Sequence, residues 1–272
     1  MKKIITFIFA CSLMPAFSGC TINVTSENGR LSFKTGKAIV GNGVIKEKEI
    51  GKLDFTNIDS RGSVDITISS SHDTPIKVLG DENLIDYVEV RVINGTLTVR
   101  IKEGLNYMTK HGLKVIAPNN GKIKNISLSG ASDLIAECAL TGGEIAITCR
   151  GSSDFNGDLS AAKCKLNMSG SSDFIGSIKA TSVSINCSGS SDCKITGYAD
   201  DCKISMSGSS DFKGYGFTAM RADCNASGSS DIRITCNEEI KVNAGGSSDV
   251  YYRGNAKVTG RRLSGSSDLY NK

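Results

Sequence analysis

The chain has 272 residues, 39% hydrophobic and 22% charged, enough to bury one or two cores, which excludes both a disordered chain and a disulfide-stapled mini-protein. Its net charge of +4 falls to +2 once Lys2 and Lys3 of the first twenty residues are set aside, so bulk charge gives no support to nucleic-acid binding. Thirty glycines, three prolines and no tryptophan point to many tight turns in an all-β chain, and two histidines, His72 and His111, leave little for zinc or triad chemistry.

Residues 1–20 run from Lys2-Lys3 through an apolar stretch to Ser18-Gly19-Cys20, the pattern of an export signal and too short to span a bilayer as a mature helix. Small residues directly before a cysteine resemble the bacterial lipobox, with Phe17 where leucine is usual. Cys20 is then the acylated first mature residue, and acyl chains at about 0.8 kcal/mol per buried methylene hold the protein on a membrane. An ordinary cleaved signal, with Cys20 incidental, is the alternative. Residues 21–37 are polar and read as a tether.

Residues 38–120 alternate apolar and polar positions in short runs that predict strands at 45–50, 55–58, 64–68, 76–79, 87–93, 96–101 and 113–117. Asn94-Gly95 is a hairpin signal, and Asp81 to Tyr87 predicts a single helical turn with Asp81 as its cap. Gly62-Ser63-Val64-Asp65 keeps a glycine three places before an aspartate, so this irregular region is expected to contain degenerate coils of the repeat found in residues 121–272.

Residues 121–272 are repetitive. Gly-Ser-Ser-Asp or a near copy recurs eight times, ending at Asp133, Asp154, Asp173, Asp192, Asp211, Asp231, Asp249 and Asp268, with steps of 18 to 21 residues. The matching glycines are Gly130, Gly151, Gly170, Gly189, Gly208, Gly228, Gly246 and Gly265. Aligned on the aspartates, the chain shows an apolar column from Ile126 through Ile147, Leu166 and Ile185, and a second from Leu128 through Cys149 and Met168. A polar column stands between them: Ser127, Thr148, Asn167, Asn186, Ser205, Asn225, Asn243 and Arg262. Alternation with period two at a repeat of roughly 19 residues predicts a parallel β-helix (β-solenoid) of about eight regular coils, each about 4.8 Å above the last. Leucine-rich and helical repeats need patterns that are absent.

Stacked carboxylates repel, by about 1 kcal/mol per neighbouring pair in water. Turn chemistry answers this: glycine supplies a positive φ, and Ser and Asp side chains accept backbone N–H groups around the bend. The alternative is a cation-binding row, though calcium wants six to eight oxygens and the known calcium repeat has another period. Lys194, Lys213 and Arg233, two places after their aspartates, offer charge balance. Of the ten cysteines, the eight that follow Cys20 (Cys138, Cys149, Cys164, Cys187, Cys193, Cys202, Cys224, Cys236) suggest disulfides in an exported chain, yet those sharing a column lie two rungs apart, about 9.6 Å, beyond disulfide reach. They are expected to be buried free thiols, with a cross-core pair such as Cys187–Cys193 left open. At the last coil Arg261 replaces an aliphatic residue of the inward column, a device against edge pairing that predicts a monomer or weak oligomer.

The lipobox, Gly-Ser-Val-Asp-Ile-Thr-Ile at 62–68, Asp81-Glu82-Asn83-Leu84 leading into Thr96-Leu97-Thr98-Val99, and Leu-Ser-Gly-Ala-Ser-Asp at 128–133 together resemble the DUF2807 family of auto-transporter adhesin, head GIN domain proteins, frequent in Bacteroidetes. The resemblance spans about residues 45–272 and implies a parallel β-helical fold, an exported location and no catalytic motif. On these grounds the chain is expected to be a lipid-anchored, non-enzymatic envelope protein, an adhesin or a binding module for glycan or protein. It is expected to need no cofactor, with Asn167, Asn186, Asn225 and Asn243 on its candidate face. A polysaccharide lyase or glycosidase, as hosted by other β-helices, and a purely structural envelope protein are the rival readings. The near-identical surroundings of the aspartates count against catalysis, which needs separated pKa values.

Overall fold

Hydrogen bonding between copies of the same turn sets the register of the molecule. In the computed structural model, which describes residues 20–27 and 30–272, with side chains from residue 38 onward, the repeat forms a continuous parallel ladder. Ile126, Ile147, Leu166, Ile185, Ile204, Cys224, Val242 and Arg261 are successive partners, and so are Leu128, Cys149, Met168, Cys187, Met206, Ala226, Ala244 and Leu263. Each coil turns at its Gly-Ser-Ser-Asp, and the strand after that turn runs far round the coil. Phe174–Gly189, Cys193–Met206, Phe212–Ala226 and Ile232–Ala244 are continuous strands of 13 to 16 residues. The inward columns are almost wholly buried, with Phe155 stacked on Phe174 at 5.3 Å between ring centres. This is the all-β solenoid of roughly 19-residue coils that the spacing predicts.

The irregular region joins the same sheet. Asn57–Gly62 and Asp65–Ser69 make a coil whose Gly62 pairs with Gly130 and whose Ile66 pairs with Leu134. Beneath it, parallel again, lie Thr96–Ile101 against Asn57–Gly62 and Leu113–Pro118 against Asp65–Ser69. Spatial order therefore departs from chain order: the coil made first is held between the one made second and the one made third. Residues 119–124 carry the chain past it, with Asn119 N–H donating to Ser69 O at 3.2 Å and Asn120 Nδ2 to Phe55 O at 2.7 Å.

Antiparallel strands cover the base. Val88–Ile93 returns on Thr96–Ile101 through Asn94-Gly95, whose φ values of 50° and 72° fit the two-residue hairpin. Ile76–Asp81 lies against Leu113–Pro118, and Ile45–Gly51 against Ile76–Asp81. The single helical turn is present as Ile85–Tyr87, but Asp81 does not cap it. Buried at the end of its strand, the Asp81 carboxylate instead accepts backbone N–H groups from Gly43 at 2.9 Å, Lys110 at 2.8 Å and His111 at 3.4 Å, tying together two loops nearly thirty or more residues away.

The stretch expected as a tether contains backbone pairing: Cys20–Glu27 and Arg30–Lys37 form an antiparallel ladder, with Cys20 opposite Lys37, that is separate from the large sheet. Asn28-Gly29 between them is a hairpin dipeptide, a signal the polar composition obscured. The export signal before Cys20, and the Cys20 side chain, lie outside the described residues.

Candidate binding groove and the turn ladders

The repeat turns are built from backbone and side chains acting between coils. Gly130, Gly151, Gly170, Gly189, Gly208, Gly228, Gly246 and Gly265 all have positive φ, from 73° to 96°. Their stacking is so close that a Cβ on Gly170 would meet the carbonyl oxygen of Gly151 at 2.4 Å. That oxygen accepts the N–H of Ser171 at 2.7 Å, and the same bond recurs at every regular turn. The aspartates likewise reach across rather than round the bend. Asp173 N–H donates to Asp154 Oδ1 at 2.8 Å, Asp192 to Asp173 at 2.9 Å, and so on from Asp65 to Asp268. A turn reading from sequence places these bonds within one bend, because the partner coil is not visible there.

The serine before each aspartate is buried, and its hydroxyl serves the neighbouring coil: Ser172 N–H donates to Ser191 Oγ at 3.2 Å, and Ser191 N–H to Ser210 Oγ at 3.2 Å. Aspartate and serine ladders thus run in opposite directions along the stack. From Asp192 to Asp268 the Oδ2 atoms meet partners on the outside. Lys213 Nζ lies 2.5 Å from Asp192 Oδ2, Arg233 2.8 Å from Asp231 Oδ2, and the hydroxyls of Tyr251 and Tyr270 donate to Asp249 and Asp268 at 2.9 and 3.2 Å. The hydrogen bond to Asp249 pushes the Tyr251 hydroxyl up to about 12, and the bond to Asp192 raises Lys213. Among the described residues no group of three or more His, Cys, Asp or Glu side chains is arranged to hold a metal ion.

The eight cysteines whose side chains are described are all unpaired, and all but Cys138 are buried. Register places Met168 between Cys149 and Cys187, and Val183 between Cys164 and Cys202. Burial pushes Cys149 up to about 12 and Cys164 up to about 11, so both stay protonated and poorly nucleophilic at neutral pH. The Cys187 and Cys193 thiols hydrogen-bond each other across the core at 3.2 Å and are not joined in a disulfide. The His72 ring hydrogen-bonds the Asn119 carbonyl, and the backbone N–H of His111 donates to Asp81.

The polar column lies on the outside of the coil, flanked by the serines that precede the repeat glycines. Together they line an open groove of about 580 Å³ running along the stack from Thr148 to Asn243, with Asn167, Asn186, Ser205 and Asn225 between. Asn186 Nδ2 donates to Asn167 Oδ1 at 3.1 Å and Asn243 Nδ2 to Asn225 Oδ1 at 3.4 Å, leaving further amide donors and acceptors for a ligand. The four candidate asparagines therefore share one surface. Toward the last coil the groove opens into a hollow of about 490 Å³ shared by Asp223, Asn225, Asn243, Lys241, Arg261 and Arg262. Arg261 occupies the inward column by register yet is exposed, because a bulge at Ile240–Lys241 and the lack of a further coil among the described residues leave it on the rim.

Two places before the polar column stands another outward one that the sequence reading did not single out: Ala146, Lys165, Ser184, Lys203, Asp223 and Lys241. The aspartate alignment carries this signal, since the same strand must show every second residue on one face. Tyr251 and Tyr270, stacked at 4.9 Å, sit on a different side, with the aspartates.

Solved structures share this fold. A crystal structure described as a putative adhesin from Parabacteroides merdae is 25% identical, with a TM-score of 0.77 over 86% of this chain and 99% of that one. A putative adhesin from Parabacteroides distasonis is 23% identical, with a TM-score of 0.79 over 86% and 100%. A putative lipid binding protein from the same organism is 24% identical, with a TM-score of 0.78 over 87% and 100%. A search of curated proteins gave no match. The family model described as "Putative auto-transporter adhesin, head GIN domain" matches residues 54–174 and 156–256, reaching from the displaced first coil almost to the last, and the chain belongs to that family, DUF2807.

Proposed function

We propose that the chain is a lipid-anchored, non-enzymatic protein of the bacterial cell envelope, held on the outer membrane by acylated Cys20, that binds a glycan or protein ligand along its asparagine and serine groove. The observation that carries this reading is the groove itself: half-buried amides and hydroxyls repeat at one rung per coil on a rigid surface, arranged to meet an elongated polar ligand with little loss of side-chain freedom. The family description and the adhesin names of similar structures support a binding role and an envelope location. The aspartates, spent on backbone N–H groups of the next coil, offer no pair of carboxylates in contrasting environments of the kind hydrolysis requires.

The test uses the full chain in detergent on a glycan array and on immobilised matrix proteins. Wild type is expected to retain a defined set of ligands, and Asn186→Trp, which fills the middle of the groove at a half-buried strand position, to lose them. Ligands kept by Asn186→Trp would place binding elsewhere. In cells, Cys20→Ala is expected to move the protein from the membrane to the soluble fraction; unchanged partition would overturn the anchor.

A further inference from the structure

Cations recur at a regular interval in the outward column beside the groove. Lys165, Lys203 and Lys241 stand in the same column, with Ser184 between the first two and Asp223 between the last two. One positive charge therefore recurs every second coil, about 9.6 Å apart. All three are exposed and, among the described residues, none is in an ion pair, whereas Arg221 in the next column is taken by Asp201 at 2.7 Å and Glu238 at 3.1 Å. Asp223, the one acid in the lysine column, is turned to the asparagines and accepts from Asn225 Nδ2 at 3.1 Å. At the far end Arg261 and Arg262 add two more exposed cations, in no ion pair among the described residues, in the hollow that Lys241 and Asp223 share. Arg150 lines the opposite end of the groove and likewise makes no ion pair among the described residues. Of the acids beside this column, Asp201 is held by Arg221 and Asp223 by Asn225, while Glu239 shares a hollow with Lys203 and Lys241.

From this juxtaposition we infer that the ligand is a linear acidic glycan laid along the solenoid axis, carrying one carboxylate or sulfate on every second sugar. The inference rests on the groove being the binding face. A pyranose chain linked through equatorial oxygens advances about one rung per ring, so its hydroxyls meet the asparagine and serine row at each coil and its anionic groups meet a lysine at every other coil. The arginine pair receives a terminal or extra anionic group, where a planar guanidinium fork suits a carboxylate or sulfate. Six steps of the polar column, from Thr148 to Arg262, span about 29 Å, room for a hexasaccharide-sized segment. The spacing of charge, rather than its total, is what selects the ligand, since the mature chain is close to neutral.

Calorimetric titration of the full detergent-solubilised chain tests this with four probes: hyaluronan, whose disaccharide carries one carboxylate; chitohexaose, of similar length and neutral; poly-glutamate, anionic without hydroxyls; and phosphatidylserine vesicles. Hyaluronan is expected to bind, more weakly as salt is added, and to lose about tenfold or more in affinity in the triple variant Lys165→Ser, Lys203→Ser, Lys241→Ser. Lys179→Ser, in another column of the coil, should leave binding unchanged. Asn167→Ala with Asn186→Ala should weaken hyaluronan and chitohexaose alike. Equal binding of chitohexaose, with no effect of the triple variant, would overturn the acidic-ligand inference while leaving the groove reading intact. Equal binding of poly-glutamate would reduce the site to bare charge, and preference for the vesicles would make the ligand a lipid surface; either outcome overturns the inference. Failure of every probe to bind would overturn the inference and count against the groove as a glycan site.

Discussion

Residues 125–272 set each coil on the one before it, whereas residues 38–118 build theirs out of order and need different devices to hold them. In the regular coils a single turn chemistry repeats, and each glycine, serine and aspartate is useful only because an identical residue lies one rung away. In the irregular region the same turn appears once, at Gly62 to Asp65, and Asp65 Oδ1 still accepts the Asp133 N–H at 3.1 Å. Everything below it is joined by unique contacts: the Asp81 carboxylate, the Asn94-Gly95 hairpin, and ion pairs such as Lys77 with Glu47 at 2.7 Å. Stacked repetition gives register through shared backbone geometry; a base that must terminate the stack gives up repetition and relies on individual side chains.

The sharpest way to break this contrast is through its glycines. Gly170→Ala combines left-handed strain at φ 88° with a Cβ 2.4 Å from a backbone oxygen of the adjacent coil, and should cost about 3 kcal/mol or more in urea unfolding. Gly62→Ala, at φ 102° with open space around its Cβ, should cost the strain alone, about 1 to 2 kcal/mol. Equal losses would mean that close coil stacking contributes nothing beyond conformation.

The base should fail first in acid. Burial opposes the charge of Asp81, but the N–H donors of Lys110, Gly43 and His111 together outweigh it and hold the carboxyl below the usual carboxylate range. A lowered native pKa means that the stabilisation is present above the unfolded value of about 3.9 and is lost as pH falls through the native value. Hydrogen exchange of residues 41–44 and 108–111 should therefore rise selectively below that range. Asp81→Asn should produce the same loosening at neutral pH and flatten the acid response; an unchanged acid profile in Asp81→Asn would assign the effect to other groups.

Within the regular coils, Cys187→Ala should cost only a small cavity, about 1 to 2 kcal/mol, with thiol titration of the unfolded, unreduced chain showing mostly free cysteines. Three or more disulfides by mass spectrometry would contradict that. The aspartate ladder should give the smallest effect. Asp192→Asn keeps an acceptor for Asp211 N–H at 3.0 Å and loses only the exposed pair with Lys213, worth less than about 1 kcal/mol, whereas Asp192→Ala leaves that N–H without its acceptor at about 1 to 2 kcal/mol. Chelator should not move the melting temperature of either; a calcium-dependent rise would restore the cation row as an explanation.

How much of this was legible followed the same division. Aligning the aspartates gave the columns that the register bears out, because period and side-chain alternation are local properties of the chain. The direction of the Asp and Ser bonds was not legible, since donor and acceptor sit 18 to 21 residues apart on different coils. Nor was the place of the coil at 57–69, whose neighbours above are some 68 residues away in sequence. Asp81 read as a helix cap because its true donors, near Gly43 and Lys110, are distant in the chain. The candidate asparagines came out on one face because alternation alone places them there, while the lysine column beside them passed unnoticed for want of a motif.

The displaced first coil also dictates a timetable. Asn57–Ser69 can be closed below only after Leu113–Pro118 exists, and above only after Asn125–Ala136 does. The base is thus a contact set of long sequence separation, slow to form because a large loop must close before any of its pairings repay the lost entropy. Every later coil adds to a finished template about 19 residues at a time, by local steps. A chain emerging N-terminus first would hold its opening hundred residues unassembled until the second coil is complete at residue 118, then complete the remainder as a zipper, so the interval in which it is exposed is set by its first half alone.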